Sequence, residues 1–585
     1  MTLIAGLFSR HAHTPIPDAA CNELTREISR YAQDRVEIFR DPRVCIVKVD
    51  IGAFGEPAWL STEGSVTAVA GCPLIGGATG AANVRSLDTA TVHSCARDGK
   101  WELLAQARGV FSAAHYSAAP TRLVLVSDRL GVRPMFMWVG DNLVAFASQL
   151  RVLEAMSVVP KEMDVRGVTE IVGFGFPLAN RTPYSGISLL QAGEAVCVTD
   201  KEVTRHTYWR WDDVPPSTRD VDKLAKEAYD LFEDAVRIRL GGDRSTAAFL
   251  SGGLDSRAVV AQLRQNDARV YTFNFGMPGT LDDVLGAEFA RLSGTIHETA
   301  KNPEPIDPQW SAMMSSSWNA AQREITEAAE HPGLVWSGDG GSVCLGHVYL
   351  NERLVKMLRA GDRDGGIQAF LKHHGMSVPK RLLIPRVARL LEPVLREGIR
   401  EELERLRGSD PGRQFHIFLM LNDQHRHLAN HFETIDLHRL EFQLPFFDGL
   451  FLETVLSTPL DACLGHRFYM KWLGHFVSGV TSVPWQAYPG HVPCLLPMPA
   501  GATYQWEKRH IALGHSARKR QAIERGRRVL KSADFPEAIL EPLYLHVTAL
   551  LYQLGIRDYS WVMRAAHNYY SYYAASGGRF RLPEA

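Results

Sequence analysis

The stretch Thr246-Ala247-Ala248-Phe249-Leu250-Ser251-Gly252-Gly253-Leu254-Asp255-Ser256 decides the fold. Its first five residues read as a short buried strand, and the two glycines then turn the chain. A helix follows, carrying Ala258, Val259, Val260 and Leu263 on its apolar side. Strand, glycine turn and helix open a βα unit, and the flanks repeat the alternation. Residues Val221 to Leu240 place Leu224, Ala228, Leu231 and Ala235 at helical spacing. Val270 to Phe275 reads as a strand, Asp283 to Leu292 as a helix, and Leu334 to Ser337 as a strand. Such alternation predicts an α/β, doubly wound parallel sheet. From about residue 351 the sequence is mostly helical and shows no internal repeat.

The turn has its own chemistry. Glycines let the backbone approach a ligand closely. The hydroxyls of Ser251 and Ser256, with the free N–H groups at the helix start, form an anion site. A carboxylate beside phosphate needs a bridging cation, so Asp255 implies Mg²⁺ held against a pyrophosphate. No Gly-Lys-Ser/Thr follows, which disfavours γ-phosphate transfer. A glycine-rich turn capped by Asp and Ser is the purely structural alternative.

Outward from this unit, the first 200 residues change character. Val44–Val49, Val66–Ala70, Arg122–Val126, Leu143–Ala147 and Ala195–Val198 are strands, Ala19–Tyr31 is the best helix, and an antiparallel α+β domain is expected. The Pro- and Asp-rich segment Trp209–Asp220 reads as the linker. A chain of 585 residues that is 45% apolar calls for at least two domains. With 64 basic against 65 acidic residues, no global charge draws it to nucleic acid or to an acidic membrane. No run is long and apolar enough for a membrane span, and Met1 to Phe8 lacks a basic leader, so a cytoplasmic location is expected. The eight cysteines are too scattered for a zinc or redox motif. His425, His427, His431 and His438 lack the glutamate of an HExxH site and read as core or surface residues. The basic run Arg518 to Lys531 reads as a solvated helix face, with a peptide leader or a phosphate as the other option. Tyr569 to Tyr573 reads as helix packing rather than a ligand platform.

The turn resembles the loop of N-type ATP pyrophosphatases, and four more segments narrow the resemblance to the asparagine synthetase family. Ser127-Asp128-Arg129-Leu130-Gly131-Val132-Arg133-Pro134 is similar to its DRxGxxP segment. Ala145-Phe146-Ala147-Ser148 with Leu153 is similar to FASE…L. Ser337-Gly338-Asp339-Gly340-Gly341 is similar to the SGxGxDE loop, and Glu441 to Asp448 is similar to ExRxPFLD. Their order and spacing fit, and they span most of the chain. The resemblance implies an αββα sandwich like an N-terminal-nucleophile glutaminase over residues 1–208. It implies an ATP-pyrophosphatase domain with a helical C-terminal part over 221–585. ATP would bind at Ser251, Gly252, Gly253, Leu254, Asp255 and Ser256, with Mg²⁺ on Asp255. Asp339 and Lys471 would be catalytic, and Lys508 is a further candidate lysine.

Three departures stand out. Thr2 occupies the place of the glutaminase cysteine, and the RGPD and NGEIYN segments are absent. Ser342-Val343 replaces the Asp-Glu of the synthetase loop, leaving Asp282 or Asp283 to supply a second acid. Val483 to His491 lacks the family's late lysine. The expected activity is an amide ligase that adenylates a carboxylate without hydrolysing glutamine. β-Lactam synthetases and lasso-peptide macrolactam cyclases, which lack the cysteine, are the family's precedents. The rival is an inactive homologue that binds nucleotide or a partner. Expected partners are a small-molecule or peptide carboxylate, a precursor peptide with its leader-processing proteins, and a second copy in a homodimer. No nucleic acid or membrane is expected.

Overall fold

The computed structural model describes residues 2–11, 13–76, 85–274, 276–299, 329–424, 428, 430–477, 479–487, 490–504 and 515–583. The amino-terminal part is two six-stranded antiparallel sheets, face to face. In the first, Thr2–Ser9 lies centrally between Val44–Asp50 and Leu143–Ala147. Alternation along Thr2–Ser9 explains the layering. Ile4 and Phe8 enter the core between the sheets, with Ile46, Val66, Ala114, Leu125 and Phe146. Leu3 and Leu7 point the other way, under Ala20, Leu24, Val152 and Leu153 of the helices Asp18–Glu27 and Leu150–Ala155. The helix Arg85–Asp98 covers the second sheet through Val92, Cys95 and Ala96. The result is the αββα sandwich.

Two helical readings need correction. The first helix ends at Glu27 rather than Tyr31, because the Ser29 hydroxyl accepts the Tyr31 N–H and turns the chain. The helices Arg85–Asp98 and Val165–Phe174 were not anticipated. Arg85–Asp98 hid from periodicity because Arg85, Asp88, Thr89 and His93 lie on its buried side.

The segment after Trp209 is pinned rather than loose. Trp211 is buried, donates to the Arg129 carbonyl at 2.7 Å, and Arg129 stacks 3.6 Å from the Trp209 ring centroid. Asp220 then caps the helix Val221–Leu240 by accepting the N–H groups of Asp222 and Lys223. The second sheet has five parallel strands. Its order is Ile296–Thr299, Arg269–Asn274, Ser245–Phe249, Leu334–Trp336 and Glu441–Gln443. By sequence that is third, second, first, fourth, fifth, so the winding reverses between Ser245–Phe249 and Leu334–Trp336. The strand expected through Phe275 is described only to Asn274.

The remainder is helical. Its cores reach back into the first half: Val165 and Val168 pack with Leu382, Leu545, Met563 and Tyr569, and a short parallel bridge joins Met163–Asp164 to Phe580–Arg581. The basic run lies in the helix His515–Lys531, whose Ile523 and Val529 are buried. The tyrosines pack: Tyr569 bonds Thr169 at 2.9 Å, and Tyr572 meets the Tyr184 ring edge-on. No helix among the described residues is long and apolar enough to cross a membrane.

Candidate active site

Ser251–Gly253 leaves the carboxyl end of one strand beside the winding reversal, and Ser337–Ser342 leaves the end of the other. The crevice outside a parallel sheet at such a switch point is where α/β folds bind ligands. The loops touch. A Cβ at Gly338 would stand 2.6 Å from the Ser256 nitrogen, and one at Gly341 would stand 2.4 Å from Asp255 Oδ1, so only glycine permits the approach.

The helix Leu254–Gln265 aims its amino end into this crevice, with Asp255 and Ser256 in its first turn. The Ser256 hydroxyl receives the Ser251 N–H at 3.0 Å and lies 3.0 Å from the Ser251 hydroxyl. Ser251 Oγ accepts the Gly253 N–H at 3.2 Å. From behind, the buried Arg257 guanidinium donates to the carbonyls of Gly252, Val483 and Pro484. Burial pushes that guanidinium down to about 10. The lysine-free segment from Val483 thus backs the phosphate loop.

Asp255 is the hub. Ser342 donates to Oδ2 at 2.6 Å, and the Tyr469 phenol donates to Oδ1. Burial raises the Asp255 carboxyl above the ordinary range; the two hydroxyl donors oppose that rise, and the Asp339 charge adds to it. Asp339 belongs to the same cluster, its carboxylate turned onto the Ser337 hydroxyl at 2.7 Å. Asp282 accepts the Gly252 N–H at 3.0 Å, so it is the nearer of the two reserve acids. Asp283 instead accepts from Gly279 and Thr299.

Lys471 does not join them. It is half exposed and pairs with Asp222 at the start of the helix Val221–Leu240. It lies two positions after Tyr469 on the helix Arg467–Leu473, and two residues of helical turn put it on the opposite side. Lys508, His425 and His427 lie outside the described residues. His431 is buried with its ring against Phe442. Among the described residues no group of three or more His, Cys, Asp or Glu side chains could hold a metal. Tyr469 and Arg257 are the residues the sequence reading missed. Arg257 had a signal, a charge between the motif and the apolar run Ala258 to Ala261; Tyr469 had none, since 214 positions separate it from Asp255.

Thr2 sits at the end of its strand, fully buried. Arg85 Nη2 stands 3.4 Å from its hydroxyl, and Arg133 donates to its carbonyl at 2.6 Å. Arg85 and Lys48 both pair with Asp50, at 3.0 and 3.1 Å. Burial pushes Lys48 down to about 8, whereas in Asp50 the two cations outweigh burial and bring the carboxyl down to about 2. Arg133 makes a two-pronged bond to the buried Glu441 at 2.7 and 3.0 Å. Arg108 and Arg239 converge on the buried Asp448. The DRxGxxP-like and ExRxPFLD-like segments are therefore the two sides of one ionic seam between the halves.

Fold and site define a chain with an N-terminal-nucleophile-like sandwich joined to a doubly wound nucleotide-type sheet. Residues 80–209 match a glutamine amidotransferase domain and residues 227–469 match asparagine synthase. Together the two matches and the relatives they point to support the asparagine synthetase family for this chain. A candidate glutamine-hydrolyzing asparagine synthetase 2 of Methanocaldococcus jannaschii is 32% identical over 163 residues, 27% of this chain and 32% of that one. The glutamine-hydrolyzing asparagine synthetase 3 of Bacillus subtilis is 30% identical over 157 residues, 26% of this chain and 25% of that one. The matches thus span a third or less of these relatives' own length.

Proposed function

We propose that this chain is an ATP-dependent amide-forming ligase that activates a carboxylate as an acyl-adenylate. The observation that carries this reading is the meeting of Ser251–Ser256 and Ser337–Ser342 at the switch point of the parallel sheet. A substrate carboxylate oxygen attacks the α-phosphorus of ATP and pyrophosphate leaves. An amine then attacks the acyl carbon, AMP leaves, and the nitrogen loses a proton. The hydroxyls of Ser251 and Ser256, with the N–H groups at the start of the helix Leu254–Gln265, would hold the departing pyrophosphate, since the N–H groups of Ser251, Gly252 and Gly253 are engaged within the turn.

The donor set fits Mg²⁺. A carboxylate has about four lone-pair sites, and Ser342 and Tyr469 engage one on each oxygen of Asp255. Mg²⁺ usually takes one or two carboxylates and completes its shell with phosphate and water. Asp255 would hold it, and the ion would neutralise charge on the pyrophosphate.

The amine does not come from glutamine cleaved at Thr2. The Thr2 hydroxyl is fully buried and Arg85 stands 3.4 Å from it, which argues against glutamine cleavage there. Free ammonia or an amine of the substrate itself remains. Attack by an internal amine is the lasso-peptide cyclase version, which takes a precursor peptide as its partner. Ser342 in place of the family acid, and Lys471 outside the crevice, favour a second reading, a homologue that binds nucleotide without turnover.

The test is AMP and pyrophosphate release from ATP, Mg²⁺ and aspartate, with ammonium or with glutamine, and then from peptide carboxylates. AMP release with ammonium or a peptide, lost in Asp255→Asn, supports the ligase. Release that requires glutamine overturns the reading of Thr2. ATP binding without AMP from any carboxylate supports the inactive homologue.

A further inference from the structure

The loop Ser337–Ser342 runs into a rare element. Gly341–Leu345 is a single turn of π-helix, closed by the Gly346 N–H on the Gly341 carbonyl at 2.8 Å. Such turns recur at functional sites. Ser342, the second residue of this one, is the residue that donates to Asp255.

A turn that ends so soon leaves its last carbonyls to be met from outside the helix. Two histidines meet them. His416 Nε2, on the helix Pro411–Gln424, lies 3.1 Å from the Cys344 carbonyl. His347 Nδ1 lies 2.9 Å from the Leu345 carbonyl. Both rings are buried, and they stack with centroids 3.7 Å apart and planes 14° from parallel. Burial pushes His347 down to about 4 and His416 well below its ordinary value, so both rings are neutral near pH 7. A neutral imidazole has one N–H, and a carbonyl can only accept. The two contacts therefore place the proton on Nε2 of His416 and on Nδ1 of His347. His347 holds its position under backbone strain, in the left-handed region at φ +52°.

The second donor to Asp255 is reached from the same cluster. His466 is buried, has φ +65°, and immediately precedes the helix Arg467–Leu473 that carries Tyr469. A Cβ on Gly346 would stand 2.9 Å from His466 Nε2, so this ring packs on the end of the π-turn.

We infer that His416 is a positioning residue for the ATP crevice: by donating from Nε2 to the Cys344 carbonyl, it fixes the π-turn in the register that sets the Ser342 hydroxyl on Asp255. The inference rests on the reading of Asp255 as the carboxylate that holds Mg²⁺ against the nucleotide.

The experiment is calorimetric titration of the full chain with Mg²⁺–ATP, with thermal unfolding recorded for every variant. Ser342→Ala should weaken binding by about tenfold, roughly the worth of a hydrogen bond to a charged group. His416→Leu removes the N–H and should weaken binding by about three- to tenfold. In the Ser342→Ala background the same change should cost less than about twofold, because a residue that acts through Ser342 has nothing left to position. His416→Gln offers an amide N–H at the reach of Nε2 and should bind within about twofold of the unaltered chain. If His416→Leu does not fold, His416→Asn takes its place, since its amide N–H falls one carbon short of Cys344. Equal losses with and without Ser342 overturn the inference, as does a His416→Gln chain that binds no better than His416→Leu. AMP release is followed in parallel. Mg²⁺–ATP binding without AMP from any carboxylate overturns the ligase reading and leaves the comparison of variants decisive for His416. An unaltered chain that binds no Mg²⁺–ATP overturns both.

Discussion

Two strand ends in this molecule stand where the family's two chemistries lie, and they differ in their surroundings. At the end of Ser245–Phe249, hydroxyls, N–H groups and one carboxylate converge on a crevice between two loops. At the start of Thr2–Ser9, two arginines, a lysine and an aspartate close around a buried hydroxyl and satisfy one another. The two differ in access: Ser251, Gly253 and Asp339 are only part-buried, whereas Thr2 and Lys48 are fully enclosed. An ionic seam, Arg133 with Glu441 and Arg108 with Asp448, joins the sandwich to the second half.

The sharpest way to break this contrast is at the two ends themselves. Asp255→Asn should reduce AMP formation by about 10²- to 10³-fold or more, measured as pyrophosphate release. A smaller loss would mean that Asp282 supports the metal. Next comes the seam. Arg133→Met removes the two-pronged partner of the buried Glu441 carboxylate and should cost about 3–5 kcal/mol, read by thermal or denaturant unfolding. Stability unchanged by Arg133→Met would deny the seam its structural role.

Tyr469→Phe removes one donor from Asp255. It should weaken Mg²⁺–ATP binding by about tenfold, roughly the worth of a hydrogen bond to a charged group. The carboxyl is already raised by burial, so nucleotide binding should fail on acidification at a pH above that of an ordinary carboxylate. The variant should move that acid limb higher still, as followed by calorimetry. Asp50 behaves oppositely. Its folded value of about 2 lies below the ordinary aspartate value of 3.8, so its contribution is complete above about pH 4 and is lost as pH falls through 2. Asp50→Asn should flatten that acid dependence by on the order of 2 kcal/mol. Thr2→Ala, last, should change AMP formation by less than about twofold.

What the sequence made legible follows from distance along the chain. The phosphate turn was readable because strand, glycines, acid and helix are consecutive, and Val221–Leu240 because its apolar period and its Asp220 cap are local. The five family-like segments were readable one by one, but not what joins them. Arg133 and Glu441 are 308 positions apart. Nothing in either segment says that they meet. Lys471 was drawn into the site by its place in the chain, whereas the turn of its helix presents Tyr469 there instead. Arg85–Asp98 escaped because a helix that buries ions breaks the rule that buried faces are apolar.

The bridge between Met163–Asp164 and Phe580–Arg581, and the bond from Thr169 to Tyr569, have a consequence in time. Val165 and Val168 leave the ribosome some 400 residues before Met563 and Tyr569, the last of the partners that cover them. At ordinary elongation rates that is roughly 20 to 80 s. For that interval the nascent chain carries an adhesive apolar helix beside an otherwise finished sandwich. Chaperone occupancy during synthesis should therefore peak once the last sandwich strand, Val203–Thr207, has emerged and fall only as the last helix emerges.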